Sequence, residues 1–323
     1  MPELPEVEYT ARQLRASVVG KTIADVSVFW DRTIGHPDRA DFLAEIVERE
    51  IVAVRRRGKY LLLDLSGNMF LTIHRRMSGN LFLLPLGWKI DTSLQKKDEA
   101  VWNTKGPTFR MEPTSYAQLS PNDRELLPKI EGATRYCRVC FNFTDGYRLL
   151  YTDPRKFGRI ELWSSEQEAE AFKELGPEPL SEEFTLEVFR RAISGRKNAM
   201  KQVLLAQEVV AGLGNIYADE ALFYASIHPL RHPASLTEHE VQLLHEGIVA
   251  VLKLGVEHGG TSFNDYRDLW GEAGENYNHV RVYQQNGKPC VRCGTVIERI
   301  VIGQRAAHFC PCCQKPCVLS TVE

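Results

Sequence analysis

"KYLLLDLSGNMFLTIHRRMSGNLFLLP", residues 59–85, holds three short apolar runs, KYLLLDL, MFLTIH and NLFLLP, with Ser, Gly and Asn in the gaps. Such runs, rich in branched and aromatic residues and separated by residues that turn the chain, read as strands joined by tight turns. The pattern continues outward in KTIADVSVFW (21–30), RVCFNF (138–143), YRLLYT (147–152) and GRIELW (158–163). Further upstream the period changes. In PEVEYTARQLRASVVG (5–20), Val7, Ala11, Leu14 and Val18 share one helical face and Gly20 stops the helix. The expectation for residues 1–165 is one long helix behind an antiparallel sheet pair, an α+β arrangement.

The strand pattern lapses over about 86–134, a charged, Pro-containing insertion expected to carry some helix of its own. After the last strand, SSEQEAEAFKELGPEPLSEEF (164–184) turns acidic and then meets two prolines, which places an interdomain linker at 166–183. TLEVFRRAISG, NAMKQVLLAQ, NIYADEALFYA and LTEHEVQLLHEGIVAVLKLGVEHG follow, so residues 184–275 read as a helical domain. Residues 276–323 have turn residues, short strands and cysteines, with too little apolar material to fold unaided.

The 323 residues carry 40 Lys and Arg against 42 Asp and Glu, a net charge of −2. No global basicity points to nucleic acid, and such a partner must be met by local patches such as RRRGK (55–59), DPRKFGR (153–159) and the tail after Val280. The N-terminus has no positive flank followed by an apolar run, and nowhere do 18 apolar residues run together. A cytoplasmic protein without a membrane partner is expected. In that reducing compartment the eight cysteines are thiols or metal ligands rather than a disulfide framework.

Cys290, Cys293, Cys310 and Cys313 give C-x2-C-x16-C-x2-C, two knuckles that set four thiolates around one tetrahedral zinc ion. Cys312 and Cys317 are spare, since only 310 and 313 reproduce the two-residue gap. Cys137 and Cys140 show the same gap inside an alternating run, where they face opposite sides of a strand and read as packing. Between the knuckles, IGQRAAHF puts Arg305 on the finger, an arm for reaching a phosphate; taken alone it reads as a solvated hairpin arginine. VVAGLGNIYADEALF (209–223) lacks the third glycine and the preceding strand of a dinucleotide loop. Its Gly212 and Gly214 permit a tight turn, and the helix opening at Asn215 offers free N–H groups to a phosphate, with Arg196, Lys197 and Lys201 adding positive charge. The N-terminus, MPELPEVEYT (1–10), has two readings. It is a helix start with acids in the first turn, or, once Met1 is removed, a free secondary amine at Pro2 flanked by the acid Glu3.

With PELPEVE, RRRGKYLLLDL, HRRMSG, DPRKFG, GRK, VAGLGNIYADEALF, NGKPC and QRAAHFCPCCQ in this order, the sequence resembles the formamidopyrimidine-DNA glycosylase family, which excises oxidised bases. The resemblance covers most of the chain outside 86–134. It implies an N-terminal helix and two-layer β-sandwich, a helix-two-turn-helix domain carrying Asn215, a C-terminal zinc-finger hairpin with one structural Zn2+, and damaged double-stranded DNA in the cleft between the halves. It favours the second reading of the terminus. A monomeric bifunctional glycosylase and AP lyase is implied, with Pro2 as nucleophile, Glu3 protonating the opening sugar, and Glu6 supporting the site. Lys59 assists the first elimination and Arg305 the second. Met77, Arg155 and Phe157 fill the hole left by the extruded nucleotide. Tyr136 and Arg138, counted among the DNA-binding residues, stand where the family has histidines, and in the loop the resemblance makes the lesion-capping loop, Phe263-Asn264 stand where a Leu-Arg pair is usual.

Oxidised purines, 8-oxoguanine and formamidopyrimidines, are the lesion class the resemblance implies. Two alternatives stay open from sequence: a glycosylase for oxidised pyrimidines, as in the endonuclease VIII branch, and a non-catalytic damage-binding protein. PELPE and the set Met77, Arg155 and Phe157 weigh against the first, and Pro2, Glu3 and Lys59 together against the second.

Overall fold

The computed structural model describes residues 2–85, 88–91, 108–111, 136–263 and 265–316. The helix expected in the insertion falls outside the described residues; of the insertion, the described strands β7 (Trp88–Asp91) and β8 (Thr108–Met111) form an antiparallel pair. The chain divides into two compact units, one of residues 1–2, 6–171 and 261–274, the other of residues 3–5, 172–260 and 275–323.

The first unit opens with helix α1, Leu4–Val18, ended by Gly20 at φ +84°. Val7, Ala11, Leu14 and Val18 are all fully buried. Strands β1 (Ile23–Val28), β9 (Cys137–Phe143), β10 (Arg148–Thr152) and β6 (Asn80–Leu84) form one sheet in that order. The second sheet runs β2 (Ile34–His36), β11 (Arg159–Ser164), β5 (Met69–His74), β4 (Tyr60–Leu65) and β3 (Ile51–Arg57). All pairs are antiparallel except β2 with β11. The period-two reading has a direct physical result: Leu61, Leu63, Leu65, Leu71, Ile73, Leu81, Leu83, Val139, Phe141, Leu149 and Tyr151, every second residue of their strands, share one hydrophobic core with α1. Cys137 and Cys140 are buried in β9 as packing residues. Helix α2, Arg39–Ile46, was not foreseen. Asp38 caps it by accepting from Ala40 N at 2.8 Å and Asp41 N at 3.0 Å, and Phe42 and Ile46, one turn apart, are buried.

A short helix α3, Glu168–Ala171, closes this unit's continuous stretch. The second unit holds α4 (Leu186–Ile193), α5 (Met200–Leu205), α6 (Asn215–Tyr224) and α7 (Glu238–Glu257), matching the four helical segments read from sequence. Thr185 caps α4, and Thr237 with Glu240 forms a capping box on α7. The hairpin β12 (Glu298–Ile302) and β13 (Arg305–Phe309) completes the unit. Helix α6 is buried from Ile216 to Phe223, so its two acids, Asp219 and Glu220, must find partners inside. Among the described residues no helix is long and apolar enough to cross a membrane.

Candidate catalytic and DNA-binding site

Two turns of the first unit carry the residues assigned to the hole. Met77 lies in the β5–β6 turn and is half-buried, next to exposed Arg76 at φ +51°. Phe157 lies in the β10–β11 loop and is 52 % exposed, far more than a core phenylalanine would be. The Arg155 guanidinium stands 5.1 Å from the centroid of the Phe157 ring. What shapes this loop is Asp153, the first residue of DPRKFG, whose carboxylate accepts from Arg155 N at 3.1 Å and from Phe157 N and Gly158 N at 2.8 Å each. Lys156, at φ +60°, stacks its ammonium 3.7 Å from the centroid of the Trp30 ring.

Lys59 follows Gly58 in the β3–β4 turn and is largely buried, 7 % exposed. Its surroundings are positive. Burial first, then the charges of Arg76 and Lys59, push the His74 imidazole down to about 3, so it is neutral. His74 Nδ1 accepts from Arg76 N at 3.1 Å, which leaves the proton on Nε2. Glu6 is buried and accepts from Thr261 N at 2.7 Å, tying α1 to the segment 261–274. Asn80 binds the same segment, donating to Asp265 O at 2.7 Å and accepting from Arg267 N at 3.1 Å. Asn264, half of the altered lesion-loop pair, lies outside the described residues. Arg138 is fully buried in β9, its Nε donating to Asp153 O at 2.9 Å, and Tyr136 O accepts from Asp153 N at 2.9 Å. Neither offers an open charge; both brace the strand that leads into DPRKFG.

In the second unit the start of α6 is occupied by the protein itself. The Glu3 carboxylate accepts from Ile216 N at 2.9 Å and Tyr217 N at 3.4 Å, while Leu4 N donates to Gly212 O at 3.0 Å. This explains both glycines. A Cβ on Gly214 would stand 2.3 Å from Glu3 Cδ, and one on Gly212, at φ +85°, would stand 2.7 Å from Leu4 Cβ. The sequence reading gave these amides to a phosphate; an anion is bound there, and it is the carboxylate of residue 3. Lys201 also departs from its expected place on a phosphate-binding surface. It is fully buried, with Nζ 2.9 Å from Asn215 O and 2.5 Å from Asp219 Oδ1, so its charge is neutralised within the unit. Arg196 is paired with Glu208 at 2.8 Å on the surface, and Lys197 is exposed. Arg305 is exposed at the hairpin end, beside Gly303 and Gln304, both at positive φ.

The four Sγ atoms of Cys290, Cys293, Cys310 and Cys313 lie within 4.8 Å of one another. Three of their separations are 3.9, 3.5 and 3.5 Å. A zinc–sulfur bond of about 2.3 Å in a tetrahedron requires sulfurs about 3.8 Å apart, so the set fits the ion. Arg292 N and Cys313 N point at Cys290 Sγ and Cys310 Sγ, each at 3.4 Å.

Family models match the chain in three places: the formamidopyrimidine-DNA glycosylase N-terminal domain over residues 1–160, the H2TH domain of the same enzyme over 175–267, and the zinc finger found in FPG and IleRS over 287–316. Formamidopyrimidine-DNA glycosylase of Herpetosiphon aurantiacus is 38 % identical over 315 residues, 97 % of this chain and 100 % of that protein. The Symbiobacterium thermophilum enzyme is 41 % identical, covering 97 % of this chain and 89 % of its own. The chain belongs to the formamidopyrimidine-DNA glycosylase family. Among solved structures, Lactococcus lactis Fpg in complex with abasic-site DNA superposes with a TM-score of 0.78 at 32 % identity, covering 97 % of this chain and all, 100 %, of that one. The same protein with DNA containing Fapy-dG gives 0.77 at 31 %.

As a formamidopyrimidine-DNA glycosylase family member with the family's finger, the chain carries one structural zinc at its four cysteines. Three residues that sequence reasoning passed over hold this family member's second unit together. Asp219 accepts from Lys201 and, at 3.0 Å each, from His308 N and Nδ1. Glu220 accepts from Arg281 N at 2.8 Å and from Val282 N and Tyr283 N at 2.9 Å. Arg292 donates to Phe223 O at 2.7 Å and Tyr224 O at 3.2 Å, satisfying carbonyls at the end of α6. A signal was present: an Asp-Glu pair inside the otherwise apolar IYADEALF.

Proposed function

We propose that this chain is a base-excision repair enzyme, a bifunctional DNA glycosylase and AP lyase that removes oxidised purines through Pro2. The observation that carries the proposal is the clamp on residues 3 and 4: Glu3 on the first amides of α6 and Leu4 on Gly212 hold the residue before them, Pro2, in one place. An N-terminal amine titrates near neutral pH, so much of it is unprotonated and nucleophilic, unlike an ordinary lysine.

In the proposed reaction the Pro2 nitrogen attacks C1′ of the damaged deoxynucleotide. The C1′–N bond to the base breaks, and the base leaves with the bonding electrons and takes up a proton. Glu3 delivers a proton to O4′ as the sugar opens, and the amine's lone pair completes an iminium ion at C1′. This cation acidifies the C2′ proton; its loss, assisted by Lys59, expels the 3′ phosphate. A second elimination, served by Arg305, expels the 5′ phosphate, and water hydrolyses the iminium to free Pro2. Glu6 supports the site through Thr261. Met77, Arg155 and Phe157 occupy the space vacated in the duplex, and Arg196, Lys197 and Asn215 meet backbone phosphates. Tyr136, Arg138 and Lys201 act behind these contacts. Zinc fixes the fold of the finger and takes no part in the chemistry. The relatives' complexes with Fapy-dG and abasic-site DNA support this substrate class, and work on DNA under reducing conditions fits a cytoplasmic enzyme associated with the nucleoid.

Borohydride reduction during turnover tests the proposal. The protein should be trapped covalently on duplexes containing 8-oxoguanine or formamidopyrimidine, and an uncleaved N-terminal tag should abolish the adduct. Trapping by the tagged protein would move the nucleophile to a lysine. Trapping on oxidised pyrimidines alone would assign the enzyme to the endonuclease VIII type.

A further inference from the structure

The turn that presents Met77 and the loop that presents Arg155 and Phe157 are separated in sequence by the strands β6, β9 and β10 and the whole insertion, yet one carboxylate joins them. Ser78 Oγ donates to Asp153 Oδ1 at 2.6 Å, the same oxygen that accepts from Arg155 N, and Arg155 N also lies 3.4 Å from Ser78 Oγ. The other oxygen, Oδ2, accepts from Phe157 N, Gly158 N and, at 3.4 Å, the Tyr151 hydroxyl. Burial first, and the neighbouring Asp153 next, push the Tyr151 phenol well above its usual range, so it stays protonated as a donor. Ser78, Tyr151 and Asp153 are all buried.

The same hydroxyl lies under both turns. A Cβ at Gly79 would stand 2.5 Å from Tyr151 Oη, and one at Gly158 would stand 1.5 Å from it. The Met77 turn is itself closed by Gly79 N donating to Arg75 O at 3.0 Å and by buried Arg75 donating to Gly79 O at 2.8 Å and to Thr10 Oγ1 at 2.9 Å. Each turn is therefore stiff by its own bonds. The Ser78–Asp153 hydrogen bond is what fixes one against the other.

We infer that Ser78 and Asp153 are positioning residues that make Met77, Arg155 and Phe157 a single wedge, so that filling the duplex and stabilising the orphaned base occur as one event. The inference rests on the proposed function, because it gives those three side chains their task. A hydrogen bond to a buried carboxylate is strong and directional, and a wedge misplaced without it stabilises the extruded state less.

The test uses the full-length zinc-loaded protein and its Ser78→Ala variant, which leaves both turns' own bonds in place. Single-turnover excision is measured on duplex containing 8-oxoguanine opposite cytosine, with 2-aminopurine beside the lesion reporting extrusion. Ser78→Ala should slow extrusion and excision about tenfold, while a pre-formed abasic site, which has no base to extract, loses less. Zinc content should not change, and the thermal midpoint should fall by only a few degrees, the cost of one lost buried hydrogen bond. The decisive arm is a cycle with Phe157→Ala: that substitution should cost less in the Ser78→Ala background than in the wild type, since the ring is already out of register. Wild-type extrusion by Ser78→Ala, or strictly additive effects in the cycle, would overturn the inference. A wild-type protein that does not excise 8-oxoguanine at all would instead sink the proposed function.

Discussion

In the sandwich, Leu63, Leu71, Leu83, Phe141 and Leu149 meet between two sheets within one large apolar cluster, whereas the apolar cluster around the zinc knuckles has five buried members, two of them metal ligands and one borrowed from α6. The finger is placed by charge and coordination instead: Asp219 on His308, Glu220 on three amides, Arg292 on the last carbonyls of α6, and zinc on four thiolates. Burial of apolar area is non-directional and tolerates substitution in small steps. Coordination and buried ion pairs are directional, and losing one partner strands the other. The two regions should therefore fail differently.

The largest effect should come from the metal. Cys310→Ser removes one of four ligands, and structural zinc contributes on the order of 10 kcal/mol to small domains of this kind. Loss of zinc, proteolytic sensitivity confined to the finger and loss of specific DNA binding are expected, with the sandwich's unfolding transition unchanged. A variant that keeps one zinc per chain would break the contrast.

Next in size is the buried triad. Asp219→Asn leaves Lys201 as an ammonium with its counter-charge gone, and removing one member of a buried pair costs about 3–5 kcal/mol. Denaturant unfolding of the second unit should show it, whereas the first unit's transition should not move. Equal stability of variant and wild type would mean that the triad contributes little to holding α5, α6 and the hairpin together.

The smallest predicted effect falls on the sandwich side, where polar exceptions gather near the β5–β6 turn. His74 is held neutral down to about 3 in the folded chain and has an ordinary value of about 6.5 when unfolded. Between those values the unfolded chain binds more protons, so stability falls as pH drops below about 6.5, by about 2 kcal/mol at pH 5 relative to pH 8. His74→Gln should flatten that limb. An unchanged acid limb would show that other groups carry it.

How far these features could be read from sequence follows the same division. Strand identity was legible because period two survives burial on both faces, as the inter-sheet set from Leu61 to Tyr151 shows. Strand β3 is not among the runs read as strands, and only its arginines enter the reading, in the patch RRRGK, because its buried pair Ile51 and Val54 stand three apart across a register shift that breaks the alternation. Helix α2 was missed although Asp38 and the pair Phe42 and Ile46 mark it. The zinc ligands were legible because coordination imposes a spacing. The long-range polar contacts were not, since nothing at residue 3 or 201 announces a partner at 216 or 219. The turn at Gly212 and Gly214 was read correctly, but what approaches those glycines was not, because an N-terminal carboxylate satisfies the same amides a phosphate would.

That contact joins residue 3 to residue 216, a separation of 213 positions. During synthesis the sandwich's strands, complete by Ser164, can pair and bury their core while Glu3 and Leu4 still lack the turn and helix that receive them. These two residues, made early, are thus among the last to be seated, and a nascent chain halted before α6 emerges leaves Glu3 and Leu4 unanchored however well the sandwich has folded.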